Sequence, residues 1–217
     1  GIVIRDVIKI VTPGTLTDGN MLNDEVNNYL GAIYCKENGF AISFADISTG
    51  EVRLFVDESE LSETSVIDEL SRFSPKEILY NEKTRTLKSV MEFIREKLRC
   101  SEKILSEKDF DITLNKDVLL GQFNASSLED LGLTQDIGTS SLCGLFSYIS
   151  DTQKAVIGRF TKIDIRSDNA FMGLDLTARR NLELIETMRN KEKRGSLLWV
   201  LDHTKTSMGK RLLRSYI

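Results

Sequence analysis

Tyr29-Leu30-Gly31-Ala32-Ile33-Tyr34-Cys35, followed by Asn38-Gly39 and then Phe40-Ala41-Ile42-Ser43-Phe44-Ala45-Asp46-Ile47, has the pattern of two strands joined by a tight turn. The first run is apolar and strand-length. Asn-Gly supplies a tight hairpin turn that needs positive φ, and the second run places Phe40, Ile42 and Phe44 on one face. Ser48-Thr49-Gly50 turns the chain again into Glu51 to Val56, where Val52, Leu54 and Val56 alternate with Arg53 and Phe55. Three sequential antiparallel strands are the economical arrangement of these segments.

Beyond Val56 the apolar period changes from two to 3.6. Asp57 and Glu60 stand at capping-box spacing, and Val66, Leu70 and Phe73 form one face of a helix that stops before Pro75. Glu77 to Tyr80 reads as a short strand. Leu87, Val90, Met91, Ile94 and Leu98 make an amphipathic stripe, and Lys103 to Ser106 reads as a fifth strand. Helices are expected at 113–123, 126–132 and 136–153. Gly138-Thr139-Ser140-Ser141 is expected to start the last of these, with a hydroxyl as its cap. The resulting order, β-β-β-α-β-α-β-α, is a meander followed by right-handed crossovers, and it resembles the ribonuclease H-like α/β fold.

Residues 155–170 read as a transition, with 159–166 alternating like an exposed strand. A helix is expected over 175–189, with Ala178, Leu182, Ile185 and Met188 on one face, and shorter helices at 196–202 and 207–217. The end of the chain is therefore all-α. Charge divides the same way. Residues 1–154 hold 16 Lys+Arg against 26 Asp+Glu, a net of −10, while residues 155–217 hold 13 against 7, a net of +6, which together give the chain's −4. An acidic first part is a poor ligand for a phosphate backbone, whereas the basic tail is attracted to one.

Several chemistries are disfavoured by what the residues are. Metal-dependent nucleases of the ribonuclease H-like fold gather carboxylates at adjoining strand ends. Here the first strand carries no acid, the fourth ends in Tyr80-Asn81, and Asp46, Glu69 and Asp117 form no evident group. No Gly-x-x-x-x-Gly-Lys-Ser/Thr loop is present to cradle ATP. One histidine, His203, lies in a polar turn beside Asp202. Cys35, Cys100 and Cys143 are far apart, so no Cys/His metal site is expected, and reduced thiols in a cytoplasmic protein are. No apolar run is long enough for a membrane span, and Gly1-Ile2-Val3-Ile4-Arg5-Asp6 has no leader pattern.

The run Arg180-Asn181-Leu182-Glu183-Leu184, Gly195-Ser196-Leu197-Leu198-Trp199-Val200-Leu201-Asp202-His203-Thr204 and Thr206-Ser207-Met208-Gly209-Lys210-Arg211-Leu212-Leu213-Arg214 resembles the opening of the core (lever) domain of the MutS family of DNA mismatch-repair proteins. Val11-Thr12-Pro13-Gly14-Thr15 resembles the seam where the mismatch-binding domain of that family hands over to its connector. The resemblance implies a fragment in three parts: residues 1–17, the end of the mismatch-binding domain; 18–154, a ribonuclease H-like connector; and 155–217, the truncated start of the helical core. It implies no catalysis here, because the Phe-x-Glu mismatch reader and the ATP loop of the family are absent; ATP and Mg²⁺ would belong to the parent protein.

What the resemblance implies for function is coupling between domains and a docking surface for MutL, with the other MutS domains, a second subunit and mismatched DNA as further partners. The candidate docking face is the polar side of the 113–123 helix, Asn115, Lys116 and Asp117, with Leu114, Val118 and Leu119 expected to face inward. The alternative is duplex DNA bound by the basic tail, with Arg179, Arg180, Lys210 and Arg211 as candidate phosphate contacts. Leu197, Leu198, Val200, Leu201, Met208, Leu212, Leu213 and Tyr216 form an apolar set larger than the helices present can cover, so self-association is expected.

Overall fold

The computed structural model describes residues 10–15, 27–58, 61–153, 160–166, 174 and 176–217. It contains two compact units, residues 1–17 with 28–170 and residues 18–27 with 171–217, each taken by itself below.

The first unit is built on a six-stranded mixed sheet. Strands β1 (Leu30–Lys36), β2 (Gly39–Asp46) and β3 (Glu51–Asp57) form the antiparallel meander, with Leu30 opposite Ala45 and Phe40 opposite Asp57. Gly39 turns the first hairpin at φ +152°, where an added Cβ would lie 2.5 Å from the Asp57 carbonyl oxygen. Strand β4 (Glu77–Tyr80) runs parallel to β1, and β5 (Ser101–Ile104) parallel to β4. Strand β6 (Ile163–Arg166) adds parallel to β3, giving the order β5-β4-β1-β2-β3-β6. The first five strands have the ribonuclease H-like order expected from the sequence. The sixth lies past residue 154, so the sheet draws on a segment whose sequence reads as a transition to the helices.

Helices cover both faces. On one side α1 (Glu63–Phe73) and α2 (Lys88–Glu92, continued as a π-helical turn Phe93–Leu98) bury Val66, Leu70, Val90 and Ile94 against Phe40, Ile42 and Phe44. On the other, α3 (Ile112–Phe123) and α4 (Asp136–Thr152) bury Leu119, Leu142, Phe146 and Ile149 against Leu30, Ala32, Ala45 and Leu54. All eight residues of β2 are buried, which is why the small residues Ala41, Ser43 and Ala45, and no charged ones, stand between Phe40, Ile42 and Phe44. Small residues on the α4 side let that helix approach closely. Ser141 Oγ lies 2.9 Å from Ser43 Oγ and donates to the Ala32 carbonyl at 2.9 Å.

Several local expectations are corrected. Asp57 ends β3, and the N-cap of α1 is Ser62, whose hydroxyl accepts from the Ser65 N–H. Glu60 lies outside the described residues. Strand β5 starts two residues earlier than its pattern predicts, and Ser106 is taken into a turn by Asp109, whose carboxylate accepts from its N–H and hydroxyl at 2.8 Å each. Residues 126–132 contain only a 3₁₀ turn, Glu129–Leu131, since Asp130 Oδ2 claims the N–H groups of Ser126 and Ser127. Gln135 precedes α4, so Thr139, Ser140 and Ser141 are inside the helix and buried rather than at its cap.

The second unit contains α5 (Leu176–Asn181), α6 (Leu197–Leu201) and α7 (Ser207–Tyr216). The single helix expected over 175–189 stops at Asn181. Glu183 takes φ +49°, and the carbonyls of Glu183 and Leu184 accept from the N–H groups of Leu197 and Leu198, at 3.0 and 2.8 Å. A tertiary backbone pairing thus outcompetes the helical ladder that the periodicity favoured. Ser196 and Thr206 cap α6 and α7.

Candidate functional site

The acidic end of a ribonuclease H-like sheet would lie at the carboxyl ends of β1 and β4. Asn81 occupies that place, and it is 2% exposed. Its Oδ1 accepts from the Cys35 N–H at 3.2 Å and the Thr84 hydroxyl at 2.9 Å; its Nδ2 donates to the Cys35 carbonyl at 3.0 Å and to Glu107 at 3.2 Å. The side chain continues the β4–β1 pairing by one rung, which requires both a donor and an acceptor. A carboxylate could not supply both. Asp46, the last residue of β2, accepts from the N–H groups of Asn28 and Ser48 and from the Ser48 hydroxyl. Among the described residues no group of three or more His, Cys, Asp or Glu is placed to hold a metal ion.

The cysteines are free thiols, Cys35 and Cys143 buried and Cys100 half-buried. Burial pushes the Cys35 and Cys100 thiols up to about 11 and Cys143 up to about 12, so thiolate is scarce at neutral pH. Asp202 is held well below the usual carboxylate range by Lys193 and then Thr204, which donate to it at 2.6 Å each. His203 is exposed beyond α6.

Helix α3 carries the predicted docking residues, and the structure redistributes their roles. Asp111 is its N-cap, accepting from the Thr113 hydroxyl at 2.6 Å and the N–H groups of Thr113 and Leu114, and these bonds, the hydroxyl first, lower its pKa. Asn115 is half-buried and spent on structure: its Nδ2 donates to the carbonyls of Lys108, Asp109 and Asp111. Lys116 and Asp117 are exposed as expected. Leu114 is not inward as expected but 63% exposed, while Leu119 is buried and Val118 half-buried. The helical pattern suggested a broad apolar face, but Ile112, Leu119 and Phe123 are the residues that join the core on this side and Leu114 is not. The signal for the outward leucine lay in position, since residue 114 falls in the first turn, above the braced loop 106–111.

In the second unit Arg179 and Arg180 lie on α5 and Lys210 and Arg211 on α7. Arg180 is exposed; the other three are half-buried and already engaged in interactions. Lys193 is tied to Asp202, and burial lowers the Arg214 pKa, so neither adds simply to a basic surface. Of the expected apolar set, Leu198 is buried and Leu213 half-buried, while Leu197, Val200, Leu201, Met208, Leu212 and Tyr216 are exposed.

The class defined is an α/β mixed-sheet domain, the end of its β4 held by the Asn81 amide, followed by a helical unit with exposed apolar side chains. Comparison with known proteins gives the family of both parts. Residues 28–164 match the family model described as MutS domain II and residues 177–217 match MutS domain III. The chain is 39% identical over its whole length to the DNA mismatch repair protein MutS of Alkaliphilus oremlandii (strain OhILAs), of which it spans 25%. It is 41% identical over its whole length to that of Clostridium botulinum (strain Langeland / NCTC 10281 / Type F), of which it spans 22%. The chain therefore belongs to the MutS family of DNA mismatch repair proteins, and it spans about a quarter of the length of these relatives.

Proposed function

We propose that this stretch works, in the parent protein, as a non-catalytic coupler between the neighbouring MutS domains and as a docking platform for MutL. The observation that carries the docking half is Leu114, an apolar side chain standing in solvent on the same side of α3 as the exposed Asp117 three residues on, at a helix end braced by Asp111 and Asn115. A rigid, partly apolar, partly charged patch suits a transient protein contact better than a nucleic acid. Asn115 supports this patch rather than contacting a partner. ATP and Mg²⁺ act elsewhere in the parent protein, whose further partners are the second subunit and mismatched DNA. No helix of the described residues is long and apolar enough to cross a membrane, and the proposed setting is the cytoplasm.

The test is calorimetric titration of the chain with the N-terminal domain of the cognate MutL at physiological salt, with a DNA duplex titrated in parallel. Saturable binding that Leu114→Asp abolishes supports the platform. MutL binding that Leu114→Asp and Lys116→Glu leave unchanged moves the surface off α3. The second reading, duplex binding by the tail, is favoured by the exposed Arg180 within a segment of net charge +6. It requires affinity that falls steeply with salt.

A further inference from the structure

Glu77 is a carboxylate at the start of β4, yet it is 3% exposed, and its hydrogen-bond partners are uncharged. Its two oxygens are used separately. Oε1 accepts from the Tyr148 hydroxyl at 2.7 Å, and Oε2 accepts from the Gly14 N–H at 3.0 Å. Tyr148 belongs to the last turns of α4, and Gly14 to the short 3₁₀ turn Pro13–Thr15 that precedes the sheet. A side chain at position 14 would not fit: its Cβ would stand 2.9 Å from Glu77 Cβ and 3.0 Å from Leu30 Cδ1.

Glu77 is not alone in holding that turn. Asn28 donates from Nδ2 to the Pro13 carbonyl at 2.9 Å. Gln153, just past the end of α4 and 3% exposed, donates from Nε2 to the Ile10 carbonyl at 2.9 Å and reaches the Thr15 carbonyl at 3.4 Å. The Ile10 N–H in turn donates to the Thr152 carbonyl at 2.8 Å. Three buried polar side chains from three different places in the sequence thus converge on six residues that lie before the stretch matched by domain II. Burying a carboxylate and two amides is unfavourable unless each is satisfied, and here the satisfied groups are those of the incoming chain.

We infer that Glu77, Asn28 and Gln153 form a clamp that fixes the incoming chain, Ile10–Thr15, to the end of α4, Thr152–Gln153, so that the two move as one body. A displacement applied before residue 10 is then delivered together to the outgoing end of α4 and to the start of β4, where Glu77 stands. The clamp rests on its own hydrogen bonds and not on the docking reading; loss of MutL binding through Leu114 leaves it untouched, and its failure leaves α3 as it is.

Amide hydrogen exchange on the full 217-residue chain tests it. Glu77→Ala removes the acceptor of Gly14, and a cooperative clamp then releases the Ile10 N–H as well, although Ile10 bonds to Thr152 and not to Glu77. Both amides should exchange faster by about tenfold or more, while those of β2 change little. Gln153→Ala is the reciprocal variant, and it should free Gly14, which it does not touch. Glu77→Gln, which keeps an acceptor for Gly14, should restore most of the protection. Release of Gly14 without Ile10, or of Ile10 without Gly14 in the reciprocal variant, would overturn the clamp in favour of independent bonds. Simultaneous loss of protection in β2 would reduce Glu77 to a general core stabiliser.

Discussion

Strand β2 and helix α7 are both amphipathic or apolar segments of similar length, and they have opposite fates. Every residue of β2 is buried, whereas among the described side chains of α7 none is, and Met208 stands 80% exposed. The sheet unit supplies its own second and third layers: α1 and α2 on one face, α3 and α4 on the other. The helical unit has caps, a well-formed pattern and short turns, but among the described residues of its helices only Leu198 is a buried apolar side chain. Local sequence signals suffice to make a helix start and stop. Covering its apolar face takes other elements, and that difference separates what each unit can do alone.

Core truncation should widen the contrast most. Phe44, packed between the rings of Tyr29 and Phe73, is 1% exposed, and Phe44→Ala should cost about 3–5 kcal/mol in denaturant unfolding followed through the sheet unit. Leu212→Ala on α7 should stay within about 0.5 kcal/mol. Equal costs would mean that α7 has found a partner, and concentration-dependent sedimentation of the wild type would identify that partner as a second copy.

A subtler change tests the sheet's own polar wiring. Asn81→Asp deletes the donor to the Cys35 carbonyl and sets a carboxylate beside Glu107, with an expected loss of about 1–3 kcal/mol at neutral pH. Burial and the neighbouring Glu107 are expected to outweigh the Cys35 N–H and Thr84 hydroxyl donors and to raise the folded-state pKa of the new acid. The loss should therefore be smallest below the ordinary aspartate pKa and grow as pH rises through the raised value. A flat difference across that range would contradict a buried charge at this position.

Alkali offers a third comparison. Burial first, and then Glu77, push the Tyr148 phenol up to about 12, and burial with Glu51 raises Tyr29 as well. Their contribution is intact below pH 10 and lost as the pH climbs through the raised values, so unfolding of the sheet unit should steepen between pH 10 and 12. Tyr148→Phe should flatten part of that slope. The smallest effect is kinetic. Cys100, half-buried, should react with a thiol reagent before Cys35 and Cys143, which should label only as the sheet unit opens. Mass spectrometry after short exposure should find one adduct.

Much of the sheet was legible because its signals are local and mutually consistent. The apolar run from Tyr29 to Cys35, the alternation from Phe40 to Val56, the Asn38-Gly39 turn and the Pro75 stop are each local, and topology rules join the segments they specify. The departures share a cause: a bond to something distant in sequence. Leu197 and Leu198 take the carbonyls that would have continued the helix past Asn181, and β6, although its alternation within 159–166 was legible, owes its place in the sheet to β3, more than a hundred residues before it. The candidate surface was half legible. Lys116 and Asp117 could be placed outward from periodicity, but the roles of Leu114 and Asn115 depended on the loop 106–111 folding back beneath the helix. Glu77 gave no sign at all, since its partners lie 63 and 71 residues away.

The hydrogen bond from Ile10 to Thr152 also has a meaning for how such a chain can be rearranged over evolutionary time. Residues 10 and 153 meet, so the intervening stretch is a cassette whose two ends are already side by side. A module of that geometry can be inserted into a host loop, or removed from it, without leaving a gap for a linker to bridge. Among the described strands β6 alone comes from beyond residue 153, and it sits at an edge. Excision would strip one outer strand and leave the five-stranded order whole.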